Sequence, residues 1–215
     1  MQFKDNVPVV STDGKDLGHV RRVVLDPHTD EVKDLVVRKG TLLTEDRVVP
    51  MDLVRSSDSD QVRLTIMAEA FEKLLPFEET YYVAADGEVT VTPPPAMAYY
   101  LYPPVGGFGP GLYEGTLPLE MAGYQLRRER HIPANTVALK AGATVKGRDD
   151  KDIGKVEQLL TAPGSDQATH IVVSEGMLHK THRVVPLEWV QTIAEAEVKL
   201  AVPSRVVERL PEYEH

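Results

Sequence analysis

His179-x-x-His182 is the spacing in this 215-residue chain closest to a metal-binding pair, with His170 as a further nitrogen donor if the fold brings it near. The stretch around the pair reads as a solvated loop, so no metal and no cofactor is expected there. His19, His28 and His131 have no histidine companion and are expected at the surface. A second group is acidic. Asp13, Asp16, Asp149, Asp150 and Asp152 lie in turns where carboxylates could hold calcium. Their spacing departs from the twelve-residue calcium loop and no glutamate closes it, so backbone capping explains them better. No glycine-rich phosphate loop precedes a helix, and no serine sits in a nucleophile elbow. There is no cysteine, which excludes disulfides, cysteine-zinc sites, iron-sulfur clusters and thiol chemistry. The expectation is a protein that is not an enzyme.

Composition narrows the class further. With 42% hydrophobic and 27% charged residues the chain reads as a folded globular protein. Its formal net charge of −9 repels polyphosphate, so nucleic acid is disfavoured as a general partner. No apolar run reaches the roughly 20 residues of a membrane-spanning helix, and the start at Met1 lacks the pattern of a signal peptide. The expected location is the cytoplasm.

The elements that must position these residues are strands. Val7 to Val10 and Leu17 to Leu25 are dense in apolar residues, parted by the turn-rich Ser11–Asp16. In the longer run Leu17 and Val23 fall on one face while Val20 and Val24 fall on the other. Either both faces are covered or a bulge shifts the parity. Asp26-Pro27-His28-Thr29-Asp30 is a hairpin turn, with Pro27 presetting φ and Asp26 able to bond back to the turn. Glu31 to Lys39 is the return strand, Asp46 to Pro50 a short strand stopped by proline, and Val62 to Ile66 an alternating one. Ala68 to Leu75 reads as one or two helical turns, with Phe71, Leu74 and Leu75 closing one end.

This order then repeats. Arg47-Val48-Val49-Pro50 recurs as Arg183-Val184-Val185-Pro186, 136 residues on, and the unit at about Val137–Tyr213 repeats the order of the unit at about Val7–Phe77, with Val7 falling on Ala143 and Phe77 on Tyr213 at that offset. Asp13, Lys15, Asp16, Gly18 and Val20 match Asp149, Lys151, Asp152, Gly154 and Val156, and Pro27 matches Pro163. Val36-Val37 and Gly40 match Val172-Val173 and Gly176. The shared positions are turn glycines, a terminating proline and apolar strand residues, while nearly every histidine differs. One valine of each adjacent pair is expected in its core and the other against a neighbouring surface.

Between the copies, Tyr81–Pro133 is rich in proline, glycine and tyrosine. Val89 to Thr92 could form a short strand, and Arg127 to Arg130 reads as a solvated approach to the second copy. Tyr99-Tyr100-Leu101-Tyr102-Pro103-Pro104-Val105 is either a linker packed on its own domains or an extended aromatic-proline recognition segment.

The pattern Gly18-x-Val20, Pro27, Val36-Val37, Gly40 and Arg47 to Pro50, with its second copy, resembles the PRC-barrel family, the β-barrel of the photosynthetic reaction centre H subunit. The resemblance implies a mainly β fold of two small barrels from internal duplication, each closed by a short helix and joined by the connector. The expected domains are residues 1–80, 81–133 and 134–215. In the H subunit such a barrel caps a membrane-bound reaction centre and helps proton delivery to a quinone. In a ribosome-maturation factor it contacts a ribosomal protein. The family has no catalytic signature, so no site residue carries over.

The expectation is therefore a non-enzymatic scaffold or adaptor for protein partners, with a membrane-associated complex as one setting and homo-oligomers left open. One alternative is an RNA- or ribosome-linked assembly factor, which requires a basic patch such as Arg21, Arg22, Lys33 and Arg38. The other is a small-molecule or metal-binding barrel.

Overall fold

Short apolar alternations punctuated by turn residues produce a molecule built mainly of strands. The computed structural model of the chain describes residues 1–4, 6–40, 45–58, 60–84, 87–91, 124–176 and 181–213. In chain order they form β1 (Gln2–Lys4), β2 (Pro8–Val10), β3 (Asp16–Asp26), β4 (Glu31–Lys39), β5 (Glu45–Pro50), β6 (Val54–Ser57), β7 (Val62–Leu64) and α1 (Ala68–Phe71). Next come β8 (Glu78–Ala84), β9 (Val89–Thr90) and β10 (Tyr124–Arg130). The last stretch forms β11 (Val137–Lys140), β12 (Thr144–Lys146), β13 (Asp152–Thr161), β14 (Ala168–Glu175), β15 (Thr181–Pro186), β16 (Val190–Ile193), β17 (Glu197–Leu200) and α2 (Ser204–Val207). By packing, the chain divides into two units, Met1–Phe77 with Ile132–His215, and Glu78–His131. Both stretches expected as barrels lie in the first of these units.

In that unit the first sheet runs β5-β4-β3-β2-β7-β6 and the second runs β15-β14-β13-β12-β17-β16. Position for position the two orders are the same. Each is antiparallel except at one place, where β2 lies parallel to β7 and β12 lies parallel to β17. The end strands of each order are not paired with one another among the described residues, so each sheet is an open path rather than the closed ring expected. A proline and a 3-10 turn, Met51–Leu53 and Leu187–Trp189, separate the strands at those ends.

The parity problem in β3 has both of its answers. The β3–β4 register shifts between Val20 and Arg22 and again between Val24 and Leu25. In β13 it shifts at the matching places, between Val156 and Gln158 and between Leu160 and Thr161. Leu17, Val20, Val23 and Leu25 therefore face the main core, while Val24 turns to the other face beside Val36, Val48, Phe77 and Ala138. Of the adjacent valines, Val37 and Val49 enter the main core, and Val36 and Val48 enter the second cluster. Phe71 of α1 and Val207 of α2 are fully buried in the main core, so each short helix covers its sheet. Leu75 does not share in this closure. It is 60% exposed, because the chain leaves the helical turn there to pair its carbonyl with the Val48 N–H.

Two strands that periodicity did not reveal tie the sheets together. β1 pairs with β13 of the second sheet, Phe3 opposite Leu159. β11 pairs with β3 of the first sheet, Leu139 opposite Val23. Each sheet thus takes its seventh strand from the other half of the chain. Phe3 and Leu139 are buried in the main core, each stabilising the exchange by about 1.5–3 kcal/mol. The hairpin turns meet in the same reciprocal way, with Val32 N–H donating to Asp166 O at 2.9 Å and Ala168 N–H donating to Asp30 O at 2.7 Å. The main core is accordingly one cluster that draws on both sheets.

The second unit is a three-stranded sheet, β10-β8-β9. The expected short strand at Val89 is present, and Arg127–Arg130 is exposed as expected, but it belongs to strand β10, paired along its length with β8. The alternation is hidden there because neither face of the sheet is buried. The Tyr99–Val105 segment lies outside the described residues.

Candidate functional site

Turn chemistry places the aspartates. Gly14 takes φ +75 and Asp150, at the matching position, takes φ +56, so both turns reverse the chain tightly after the side chains of Asp13 and Asp149. Asp13 Oδ1 accepts the Ala68 N–H at 3.2 Å, and Asp149 Oδ1 accepts the Ser204 N–H at 2.9 Å. Each aspartate therefore caps the short helix of its own half from 55 residues away in sequence, satisfying a donor that a helix start leaves orphaned. Hydrogen bonding holds both acids down. Asp13 falls to about 2, through Ser11 first and then Lys15, and Asp149 is lowered by the Ser204 N–H first. Asp16 accepts the Gly18 N–H at 2.8 Å, and Asp150 pairs with Lys199 at 2.7 Å. These carboxylates are engaged in capping and pairing.

The arginine of the repeated tetrapeptide works at the other end of each helical turn. Arg47 Nη1 donates to Leu74 O at 2.8 Å, and Arg183 Nη1 donates to Leu210 O. The strand carbonyl one position earlier is used too: Phe77 N–H donates to Asp46 O at 2.7 Å and Tyr213 N–H donates to His182 O at 2.8 Å. Helix ends expose carbonyls without partners, and a guanidinium satisfies one of them with a charge-assisted bond. The Nε atoms of both arginines are buried without an acceptor among the described residues.

The histidines separate. His179 lies outside the described residues. His182 sits on β15 with Nε2 3.0 Å from Glu157 Oε2, and Lys4 reaches the same carboxylate at 3.6 Å. His170 is not near it. In the β14–β15 register His170 faces Pro186 and Ser174 faces His182, an offset of four positions, or roughly 13 Å along a strand. His170 Nδ1 instead lies 3.0 Å from Thr169 Oγ1. Two of the histidines expected to stand alone have acidic neighbours, His28 with Asp26 at 3.4 Å and His131 with Glu79 at 3.8 Å.

The basic residues considered as a patch are engaged as well. Arg38 grips Asp46 through Nε at 2.6 Å and Nη2 at 2.8 Å, Lys33 pairs with Glu31 at 2.6 Å, and Arg22 pairs with Glu195 at 2.5 Å while lying 4.9 Å from the centre of the Phe77 ring. Where the exchanged strands meet, Lys4, Arg21, Lys140 and Glu157 surround a cavity of about 20 Å³ floored by Phe3 and Leu139. That volume holds about one water. Sequence reasoning missed this seam, although Phe3-Lys4 and Leu139-Lys140 stand at the same 136-residue offset as the rest of the repeat.

A sheet of this strand order, with a shifted long hairpin, a proline-stopped strand and a capping helical turn, can now be compared with known proteins. A family model described as the PRC-barrel domain matches residues 5–71. The PRC-barrel match spans β2 to β7 and α1, and ends at Phe71, the buried residue of that helix. It does not extend to the second sheet. No curated protein matches the chain. Among the described residues no helix is long and apolar enough to cross a membrane.

Proposed function

We propose that the chain is a tandem PRC-barrel protein, two copies of one domain arisen by duplication, that acts as a non-enzymatic scaffold binding protein partners. The observation that carries this reading is the use made of the polar residues the halves share. Asp13 and Asp149 cap helices, and Arg47 and Arg183 tie down helix ends. Side chains that could act as acids, ligands or anion binders are thus held in structural bonds, at matching places in both halves. The matching strand orders and register shifts support the duplication, and the buried Phe71 and Val207 support a small barrel plugged by a helix in each half.

Partner recognition then rests on what differs between the halves. Arg38 and Asp46 in the first half stand where Ser174 and His182 stand in the second, and Arg21 stands where Glu157 does. These pairs give the two halves different surfaces on one backbone plan, as an adaptor joining unlike partners requires. A membrane-associated complex is the setting that the reaction-centre resemblance suggests. The test is in-cell cross-linking of the full chain followed by mass spectrometry. A partner recovered in fixed ratio, lost on Arg38→Ser or on His182→Asp but not on both, is the expected result. Recovery of no protein above background overturns the reading.

A further inference from the structure

The strand β10 is an edge that nothing among the described residues covers. In the order β10-β8-β9 it has a paired strand on one side only, and residues Gln125 to Arg130 are all exposed. Alternate backbone N–H and C=O groups of such an edge point away from β8, with no strand among the described residues to receive them. Proteins blunt such edges by keeping them short or covering them, yet this one runs seven residues, Tyr124–Arg130. Its composition is also an exception. In a chain of net charge −9, β10 carries three arginines against one glutamate. Arg128 and Arg130 both reach Glu78, at 3.8 and 3.5 Å, and Arg127 has no ion pair among the described residues. Leu126, beside Arg127, is 42% exposed in register with Tyr82, offering an apolar position on the same edge.

We propose that β10 is a docking edge for an extended acidic segment of a partner protein, which adds to the sheet as a further strand. The backbone supplies the bonds, and carboxylates of the segment fall opposite Arg127 and Arg128 while an apolar residue packs on Leu126. A second copy of this chain fits less well. Antiparallel self-pairing of β10 centred on Arg127 sets that arginine against its own copy, and like charges directly opposed are destabilising. The proposal rests on the protein-binding reading above and names where one partner attaches.

The test uses the full chain and a fluorescein-labelled decapeptide of alternating threonine and valine with two central glutamates, followed by anisotropy. Binding by the wild type is expected. N-methylation of alternate amides in the peptide should abolish it, and Arg127→Glu with Arg128→Glu should weaken it about tenfold, with an unchanged melting curve showing that the fold survives. Absence of binding, or binding that N-methylation leaves intact, overturns strand addition. Tighter binding of a single-stranded decanucleotide than of the peptide overturns it in favour of nucleic acid. If the double variant still captures the cross-linked partner of the wild type, the edge assignment fails while the adaptor reading stands. If the wild type captures none, the adaptor reading itself fails.

Discussion

Gly18→Ala should destabilise the protein far more than Gly14→Ala, although both glycines have positive φ and lie four residues apart. Gly18 takes φ +115, and a Cβ there would stand 2.0 Å from the carbonyl oxygen of Arg38 and 2.7 Å from its carbon. Both are backbone atoms of β4, so relief requires parting β3 from β4 at the pair that anchors the long hairpin. The backbone conformation costs about 1–3 kcal/mol for a residue with a side chain, and the forced overlap adds another about 1–3 kcal/mol. Gly14 takes φ +75 with nothing within 4 Å of the same construction, leaving only the left-handed cost of about 1–2 kcal/mol. Gly154 is the second-half counterpart of Gly18 and combines the same two costs: its φ is +159, and its Cβ would meet Ser174 O at 2.3 Å. Urea denaturation measures the three variants on one scale. With a slope of about 2–3 kcal/mol per molar, Gly18→Ala should lower the midpoint by about 1–2 M and Gly14→Ala by about half a molar. If Gly18→Ala and Gly14→Ala unfold at the same urea concentration, the close-approach argument is wrong.

Removing the helix-end ties by Arg47→Met or Arg183→Met should cost about 1.5–3 kcal/mol each, read from thermal melts, since a charge-assisted bond to a carbonyl is lost. Asp13 and Asp149 have folded pKa values below their ordinary range, so what they contribute is present above about pH 4 and is lost as pH falls through those lowered values, about 2 for Asp13. Melting midpoints of Asp13→Asn with Asp149→Asn should therefore fall less than those of the wild type between pH 5 and pH 2. Asp34 has the opposite sign: burial, then the neighbouring Asp52, raises its pKa, and its Oδ2 has no hydrogen-bond partner among the described residues. Its penalty appears as pH rises through the folded pKa, so Asp34→Asn should stabilise the protein by about 1 kcal/mol at neutral pH and not at pH 3. Val49 and Val185 are fully buried, and Val49→Asp or Val185→Asp should each abolish the cooperative melt seen by circular dichroism.

The sequence by itself determined the local elements and the repeat. The β-branched runs, the Asp26–Pro27 turn and the strand stopped at Pro50 are dictated within a few residues, so β3 and β4 could be read as a pair and β5 as a strand without its partner. Comparing the halves separated residues held in common from residues free to differ, and so marked Asp13 and Gly18 as structural before any contact was known, while the role of the shared Arg47 was not legible. Tertiary structure alone decided what those residues touch. Asp13 and Ala68 are 55 residues apart, and Arg47 and Leu74 are 27 apart; no local preference specifies such a bond, because it forms only when the sheet brings a turn to a helix end. The exchanged strands were hidden for the same reason. Gln2–Lys4 and Val137–Lys140 are too short to show a period, and each becomes a strand only against an edge that the other half supplies. Whether His170 would join His182 also rested on geometry that spacing cannot carry, since the β14–β15 register sets the two four positions apart. Sequence specifies which residues prefer to be strands, and packing selects which edges they join.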